Sequence, residues 1–258
     1  MGEDPAQREE EIATIRLALD IGVTPIDTAE LRREDDRLPK LLNEALQGRR
    51  SEAFLVTRLS PYDGSRFGTV AACERSLEQL GTSYLDMLLL DGRGPFPLLQ
   101  TVEEMMALRA AGKIRHFGVS NFSVTDMRQL CRVSGGSDAE TDEIAYDLSA
   151  RRVELGLLPW LRQHRIPAMV QAPLDESRLS RDSKLKAFAK SAGMTPAEVA
   201  LAWLLAKPDI IAIANVHDRK QLRDIVRASE RTLTPAQLAE LDFLFPAPRE
   251  HTVSIGTE

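Results

Sequence analysis

The sequence has little cysteine, no excess of positive charge and no long apolar run, and each shortage excludes a class of protein. Its two cysteines, Cys73 and Cys131, cannot build a disulfide framework, and neither lies at a metal-ligand spacing. No apolar stretch approaches the roughly 20 residues that cross a bilayer. The acidic start of the sequence also lacks the basic-then-apolar pattern of a signal peptide. We therefore expect a cytoplasmic protein without a membrane span or a metal site.

The charge balance narrows the choice of partners. A formal net charge of −6 at pH 7 argues against nucleic acid or an anionic membrane as the main partner. The apolar fraction of 43% beside 28% charged residues is that of an ordinary globular domain. A small-molecule substrate or ligand is therefore the expected partner.

Short apolar runs alternate with amphipathic stretches along the whole sequence. The strand-like runs lie at residues 24–29, 53–59, 85–92, 114–121, 143–148, 167–173 and 210–216. Most are almost continuously apolar, as in parallel strands that are buried on both faces. The stretch that begins at Thr195-Pro196 opens with a capping residue followed by proline, which predicts a helix start. The alternation predicts βαβ units, a parallel sheet and a single α/β domain over residues 1–258.

Polar residues end these apolar runs. They are Asp27, Arg58, Asp91, Asn121, Asp147, Gln171 and Asn215. In an α/β barrel the chemistry lies at the carboxyl ends of the strands, so these positions are candidate site residues. For Asp91, which directly follows Leu88-Leu89-Leu90, a turn or helix-capping role is the alternative.

The sequence contains several longer motifs, which are ALDIGVTPIDTAE at 18–30, GTVAACERSLEQLGTSYLDMLLLD at 68–91, AAGKIRHFGVSNFS at 110–123, LLPWLRQHRIPAMVQAPL at 157–174 and LTPAQLAELD at 233–242. These motifs resemble the aldo/keto reductases. The likeness covers nearly the whole chain. It implies a (β/α)₈ TIM barrel of aldo/keto reductase type and an enzyme that uses NADPH.

The resemblance also implies four catalytic side chains, and the sequence keeps one of them. The aspartate is present as Asp27. The tyrosine position, five residues later, holds Arg32, the lysine position holds Arg58, and the histidine position holds Asp91. A guanidinium group has a pKa above about 12 and does not deliver a proton near neutral pH. Arg58 keeps a positive charge that can pair with Asp27.

The cofactor positions implied by the resemblance differ as well. Ser120 and Asn121 match residues that hold the nicotinamide carboxamide, but the glutamine position holds Glu143 and the stacking aromatic is replaced by Gln171. The phosphate-facing loop carries two acids at 175–176, which repel a dinucleotide.

The start of the sequence departs from the family pattern. The resemblance implies a hairpin and a first barrel strand before the helix at EEIATIRLALD, and only about eight residues precede that helix. We therefore expect a barrel without the N-terminal hairpin and first strand. Three explanations are open: the barrel closes in a non-standard way, a second copy of the chain or a partner protein supplies the missing strand, or the start of this sequence is unusual.

These departures lead to a functional expectation. The scaffold matches the family while the site does not, so NADPH-dependent carbonyl reduction is expected to be lost and no cofactor is expected. The favoured function is a cofactor-independent acid–base enzyme of dehydratase, isomerase or cyclase type, acting on a small carbonyl or anionic metabolite in secondary metabolism. One alternative is a non-catalytic pseudoenzyme, either a ligand sensor or a partner subunit. The other is a residual oxidoreductase, for which NADPH would be the cofactor.

The favoured function assigns roles to named residues. Asp27 and Asp91 would divide the base and acid roles, and Arg32 and Arg58 would stabilise an enolate-like oxyanion. The expected substrate-binding residues are Glu30, His116, Asn121, Glu143 and Gln171. An exposed loop carboxylate is the alternative for Glu30, and a packed strand residue is the alternative for His116.

Overall fold

The computed structural model describes residues 1–2, 4–31, 36–172, 179 and 181–248. Within them, seven strands alternate with ten α-helices. The strands are β1 (Pro25–Glu30), β2 (Phe54–Leu59), β3 (Leu85–Asp91), β4 (Ile114–Ser120), β5 (Asp142–Ala145), β6 (Ala168–Ala172) and β7 (Ile210–Ala214). The helices are α1 (Arg8–Asp20), α2 (Arg37–Ala45), α3 (Arg66–Leu80), α4 (Leu98–Ala110), α5 (Val124–Leu130), α6 (Leu157–Gln163), α7 (Ser183–Ser191), α8 (Pro196–Leu205), α9 (Arg219–Ser229) and α10 (Pro235–Leu244).

The strands form one sheet in chain order, and every neighbouring pair is parallel. The predicted α/β fold with a parallel sheet is therefore confirmed. Within the described residues no pairing joins β7 back to β1. This agrees with a barrel that lacks its first strand. That a second copy or another protein compensates for it stays a prediction, as does the single domain over residues 1–258.

The core has two layers. The larger layer lies between the sheet and the helices and is centred on fully buried side chains such as Leu41, Leu88 and Trp203. The smaller layer lies inside the barrel and consists of Val56, Met87, Leu89 and Met169, with Phe54 and Ile213 packed against it. Burial on both faces explains why the inner strands read as continuous apolar runs.

Helix boundaries follow local signals that the sequence carries. The Thr195 hydroxyl accepts a hydrogen bond from the N–H of Glu198, whose carboxylate accepts the N–H of Thr195, and Pro196 occupies the first helical position. The same capping box recurs between Thr234 and Gln237 at the start of α10. These reciprocal bonds satisfy N–H groups that no helical carbonyl can reach. The predicted helix start at Thr195-Pro196 is confirmed.

The helices show no membrane span. In the described part of the chain, none of them is both long and apolar enough to cross a bilayer.

Candidate active site

The strand register brings polar side chains together at the carboxyl ends of the strands. Asp91 of β3 pairs with Ser120 of β4, and Ser120 pairs with Glu143 of β5. Because residues paired in register point to the same face of a parallel sheet, these three side chains form one row. The row continues into the inner apolar layer through Met169, which pairs with Glu143. The row therefore lies on the inner face of the barrel.

Arg58 at the end of β2 is the centre of this site. Its Nη2 atom donates to Asp27 Oδ2 at 2.6 Å and to Glu143 Oε2 at 2.8 Å and Oε1 at 3.0 Å. Arg58 is 7% exposed and Glu143 is 1% exposed. The Nε atom of Arg58 is buried and has no hydrogen-bond partner. A buried donor without a partner costs free energy, so a ligand oxygen that reached this N–H on binding would be favoured.

The local backbone places Asp27 beside Arg58. Asp27 Oδ1 accepts the N–H of Ala29 at 2.8 Å, and Ala29 has a left-handed φ of 55°. The register between β1 and β2 shifts between Asp27 and Glu30, as in a β-bulge. The Thr57 hydroxyl then donates to the carbonyl of Ala29 at 3.0 Å. This irregular strand end fixes the carboxylate that faces the guanidinium.

Burial and neighbouring charges shift the pKa of both Glu143 and Arg58. Burial raises the pKa of Glu143, and the negative charge of Asp27 raises it further, although Arg58 and Gln171 oppose the shift. Burial lowers the pKa of Arg58, but the two carboxylates outweigh it, so the pKa lies above its usual range. Arg58 therefore stays cationic and acts as an electrostatic group rather than as an acid.

Neutral amides complete the site. Gln171 Nε2 donates to Glu143 Oε1 at 2.8 Å. Asn121 Nδ2 donates to Asp91 Oδ1 at 2.8 Å and to Ser120 Oγ at 3.2 Å. Asn121 adopts a left-handed φ of 59°, a conformation that asparagine tolerates better than most residues. The site thus combines three carboxylates, one guanidinium, two amides and a hydroxyl.

The structure does not bring every predicted site residue to this place. His116 lies near the start of β4, at the opposite end of the strands. There its ring stacks on Phe54 and hydrogen-bonds Glu140 at 2.8 Å. The structure therefore separates His116 from the other candidates. Arg32 and the two acids at 175–176 lie outside the described residues. Glu30 is the last residue of β1, and its side chain is outside the description.

The contact between Arg58 and Glu143 is the feature that sequence reasoning missed. The sequence predicts a pair between Arg58 and Asp27 and a separate, substrate-binding role for Glu143. The two residues are 85 positions apart, and β3 and β4 lie between their strands. The predicted run at 143–148 begins with Glu143, so the sequence carries no signal that places this side chain beside the end of the Arg58 strand.

The fold and the site together define a class: a parallel α/β barrel with an electrostatic site at the carboxyl ends of its strands. The model of the aldo/keto reductase family matches residues 1–244. The chain is 37% identical to methylglyoxal reductase YeaE of Escherichia coli K12 over 257 residues, which is 98% of this chain and 90% of that protein. This chain belongs to the aldo/keto reductase family.

Solved structures agree with this assignment. The aldo/keto reductase from Klebsiella pneumoniae, crystallised with NADP and acetate, superposes with a TM-score of 0.90. The two chains are 38% identical, and the match covers 96% of this chain and 89% of that one. The thermostable reductase Tm1743, crystallised with the inhibitor epalrestat, gives a TM-score of 0.81 at 29% identity, covering 93% of this chain and 89% of that one. The predicted barrel of aldo/keto reductase type is confirmed.

The same comparisons correct the functional expectation. The predicted loss of carbonyl reduction is wrong, because the relative that matches 98% of this chain is a methylglyoxal reductase. The predicted lyase, isomerase or pseudoenzyme is likewise contradicted, since these relatives are reductases. The expected absence of a cofactor is not supported either, because Klebsiella relatives were solved with NADP and with NADPH. The replaced side chains at the tyrosine, lysine and histidine positions remain a fact of the sequence.

Proposed function

We propose that this chain is an NADPH-dependent reductase of small carbonyl compounds, with an α-oxoaldehyde such as methylglyoxal as its substrate class. The observation that carries the proposal is the buried Arg58, held by two carboxylates at the strand ends, with an unpartnered Nε–H. The methylglyoxal reductase named above supports the substrate class.

The donor set fits the nicotinamide end of the cofactor. A carboxamide needs both donors and acceptors, and the Ser120 hydroxyl with the amides of Asn121 and Gln171 offers both. These three side chains would hold the carboxamide, Ser120 and Asn121 as the sequence resemblance implies. Asn121 already donates to Ser120, and Gln171 donates to Glu143, which pairs with Ser120 in the strand register.

The start of α9 fits the phosphate end. Its first turn contains no acidic residue, and Arg219 and Lys220 open the helix. The positive end of the helix dipole favours phosphate at such a place. Glu10 already accepts the N–H and the guanidinium of Arg219, and Asp218 accepts the N–H of Gln221, so phosphate would meet Lys220 first and would have to displace Glu10 to reach Arg219.

The chain's own residues would then perform the following roles. When bound, the reduced nicotinamide supplies the hydride. Arg58 Nε donates to the carbonyl oxygen and stabilises the negative charge that develops there. Asp27 and Glu143 keep the guanidinium in position. Asp91 is partly exposed at the end of β3, so water reaches this open end and would give the alkoxide its proton.

Arg58→Met tests the role of the guanidinium. Loss of one donor to a developing oxyanion typically costs about 10²- to 10³-fold in kcat. We expect Arg58→Met to lose methylglyoxal-dependent NADPH oxidation by about that factor, measured by NADPH absorbance, while NADPH still binds by fluorescence titration.

Arg66→Met is the matched control. Its guanidinium is half-exposed and pairs with Glu103 on the protein surface, so activity should stay at the level of the unaltered chain. Equal activity of the Arg58 and Arg66 variants would contradict the proposal.

A further inference from the structure

At the strand ends, the single positive charge of Arg58 lies between the negative charges of Asp27 and Glu143. The same nitrogen, Arg58 Nη2, donates to Asp27 Oδ2 at 2.6 Å and to Glu143 Oε2 at 2.8 Å. One guanidinium balances one carboxylate, so whenever Asp27 and Glu143 are both ionised these three side chains together carry an excess of negative charge.

Among the residues that the structure describes, no cation pairs with Asp91, the third carboxylate of the site. Asp91 receives the amide of Asn121, which is neutral, and Glu143 receives the amide of Gln171, which is also neutral. Among the described residues of this hydrogen-bonded cluster, Arg58 is the single cation. An incoming ligand therefore meets a negative field.

Glu143 is placed to project that field onto a ligand. It is 1% exposed, so water and salt screen it weakly. It also contacts Arg58, whose Nε–H we assign to the carbonyl oxygen. A neutral dicarbonyl compound can use this N–H without bringing a charge. The carboxylate of a ligand that approaches the guanidinium of Arg58 is repelled, because Glu143 and Asp27 are already bound there.

Resting on the proposed function, we propose that Glu143 is a specificity-determining residue that admits neutral dicarbonyl compounds and excludes 2-oxo carboxylates. This preference is separate from the reduction itself. It concerns the charge of the substrate rather than the transfer of hydride.

Pyruvate and its amide, pyruvamide, test the proposal because they have nearly the same shape and differ in charge. Binding of each to the full chain is measured by isothermal titration calorimetry, which needs no turnover. We expect pyruvamide to bind at least about tenfold more tightly than pyruvate. Glu143→Gln should shrink that ratio by about tenfold, and Glu143→Asp should keep it.

Glu140→Gln is the matched control, because it makes the same chemical change at a half-exposed carboxylate on the opposite side of the barrel. Should Glu143→Gln fail to fold, Asp91→Asn removes a charge from the same cluster and should shift the ratio in the same direction.

Each outcome decides one of the two proposals. A shift in the ratio supports the specificity role. Equal binding of the two probes, no binding of pyruvamide, or an equal change of both affinities in Glu143→Gln would overturn it. Binding with the expected preference but without any NADPH oxidation would overturn the proposed function alone.

Discussion

Asp142 is a fully buried carboxyl group on the outer face of β5. Its Oδ1 atom accepts the N–H of Phe122 at 3.4 Å, and its Oδ2 atom is buried without a hydrogen-bond partner. Burial raises the pKa of this carboxyl group to about 8. At neutral pH the group is therefore largely protonated, because ionising it would leave a charge in an apolar layer without a cation.

This raised pKa predicts how stability depends on pH. Above about pH 4 the unfolded chain loses the Asp142 proton, whereas the folded chain keeps it until about pH 8. The folded state thus binds more protons in this window, and the free energy of unfolding should fall as pH rises through it. Each pKa unit corresponds to about 1.4 kcal/mol, so the loss should reach a few kcal/mol.

Asp142→Asn should remove most of that loss, because the amide is neutral at every pH in the window. Urea denaturation at about pH 5 and about pH 8 measures the difference between the two proteins. Asp138→Asn is the control, since that exposed carboxylate pairs with Arg109. A slope that is the same in the Asp142 variant and the unaltered chain would refute this account.

At the scale of elements, β7 is an edge strand with an exposed apolar side chain. Ile210, Ala212 and Ala214 pack against the helix layer, while Ile213 packs inside the barrel. Ile211 lies on the same inner side of β7 as Ile213, and it is 42% exposed. An edge strand with unpaired backbone groups and apolar side chains is a template for pairing with another chain.

Ile211→Lys should therefore weaken self-association. A charge on an edge strand opposes strand pairing, and a partly exposed position changes stability by only about 0.5 kcal/mol. Sedimentation velocity over a range of concentrations measures the association. Leu205→Lys is the control, because Leu205 is similarly exposed but lies at the end of α8. An unaltered chain that stays monomeric at every concentration would disprove this prediction.

Other elements show what the sequence could predict. The predicted runs at 85–92 and 114–121 differ from β3 and β4 by one residue each, because strands buried on both faces are continuously apolar. The bulge near the end of β1 was not predicted, since Ala29 carries no signal for a left-handed conformation. Backbone strain of this kind depends on the neighbouring strand and not on the local sequence.

At the scale of the whole molecule, the sequence predicts the fold correctly and the chemistry wrongly. The three replaced catalytic positions predict a loss of function, which the match to a methylglyoxal reductase contradicts. In the structure Arg58, Asp27 and Glu143 form one ion-paired group, and the third member comes from a distant strand. Charge networks that join distant strands are invisible to a position-by-position reading.

The most direct measurement of the central claim is the stoichiometry of NADPH oxidation with methylglyoxal. The account predicts that the purified chain oxidises one NADPH for each methylglyoxal molecule that it reduces, with a rate that saturates in both. Absence of methylglyoxal-dependent NADPH oxidation by the folded chain would contradict it.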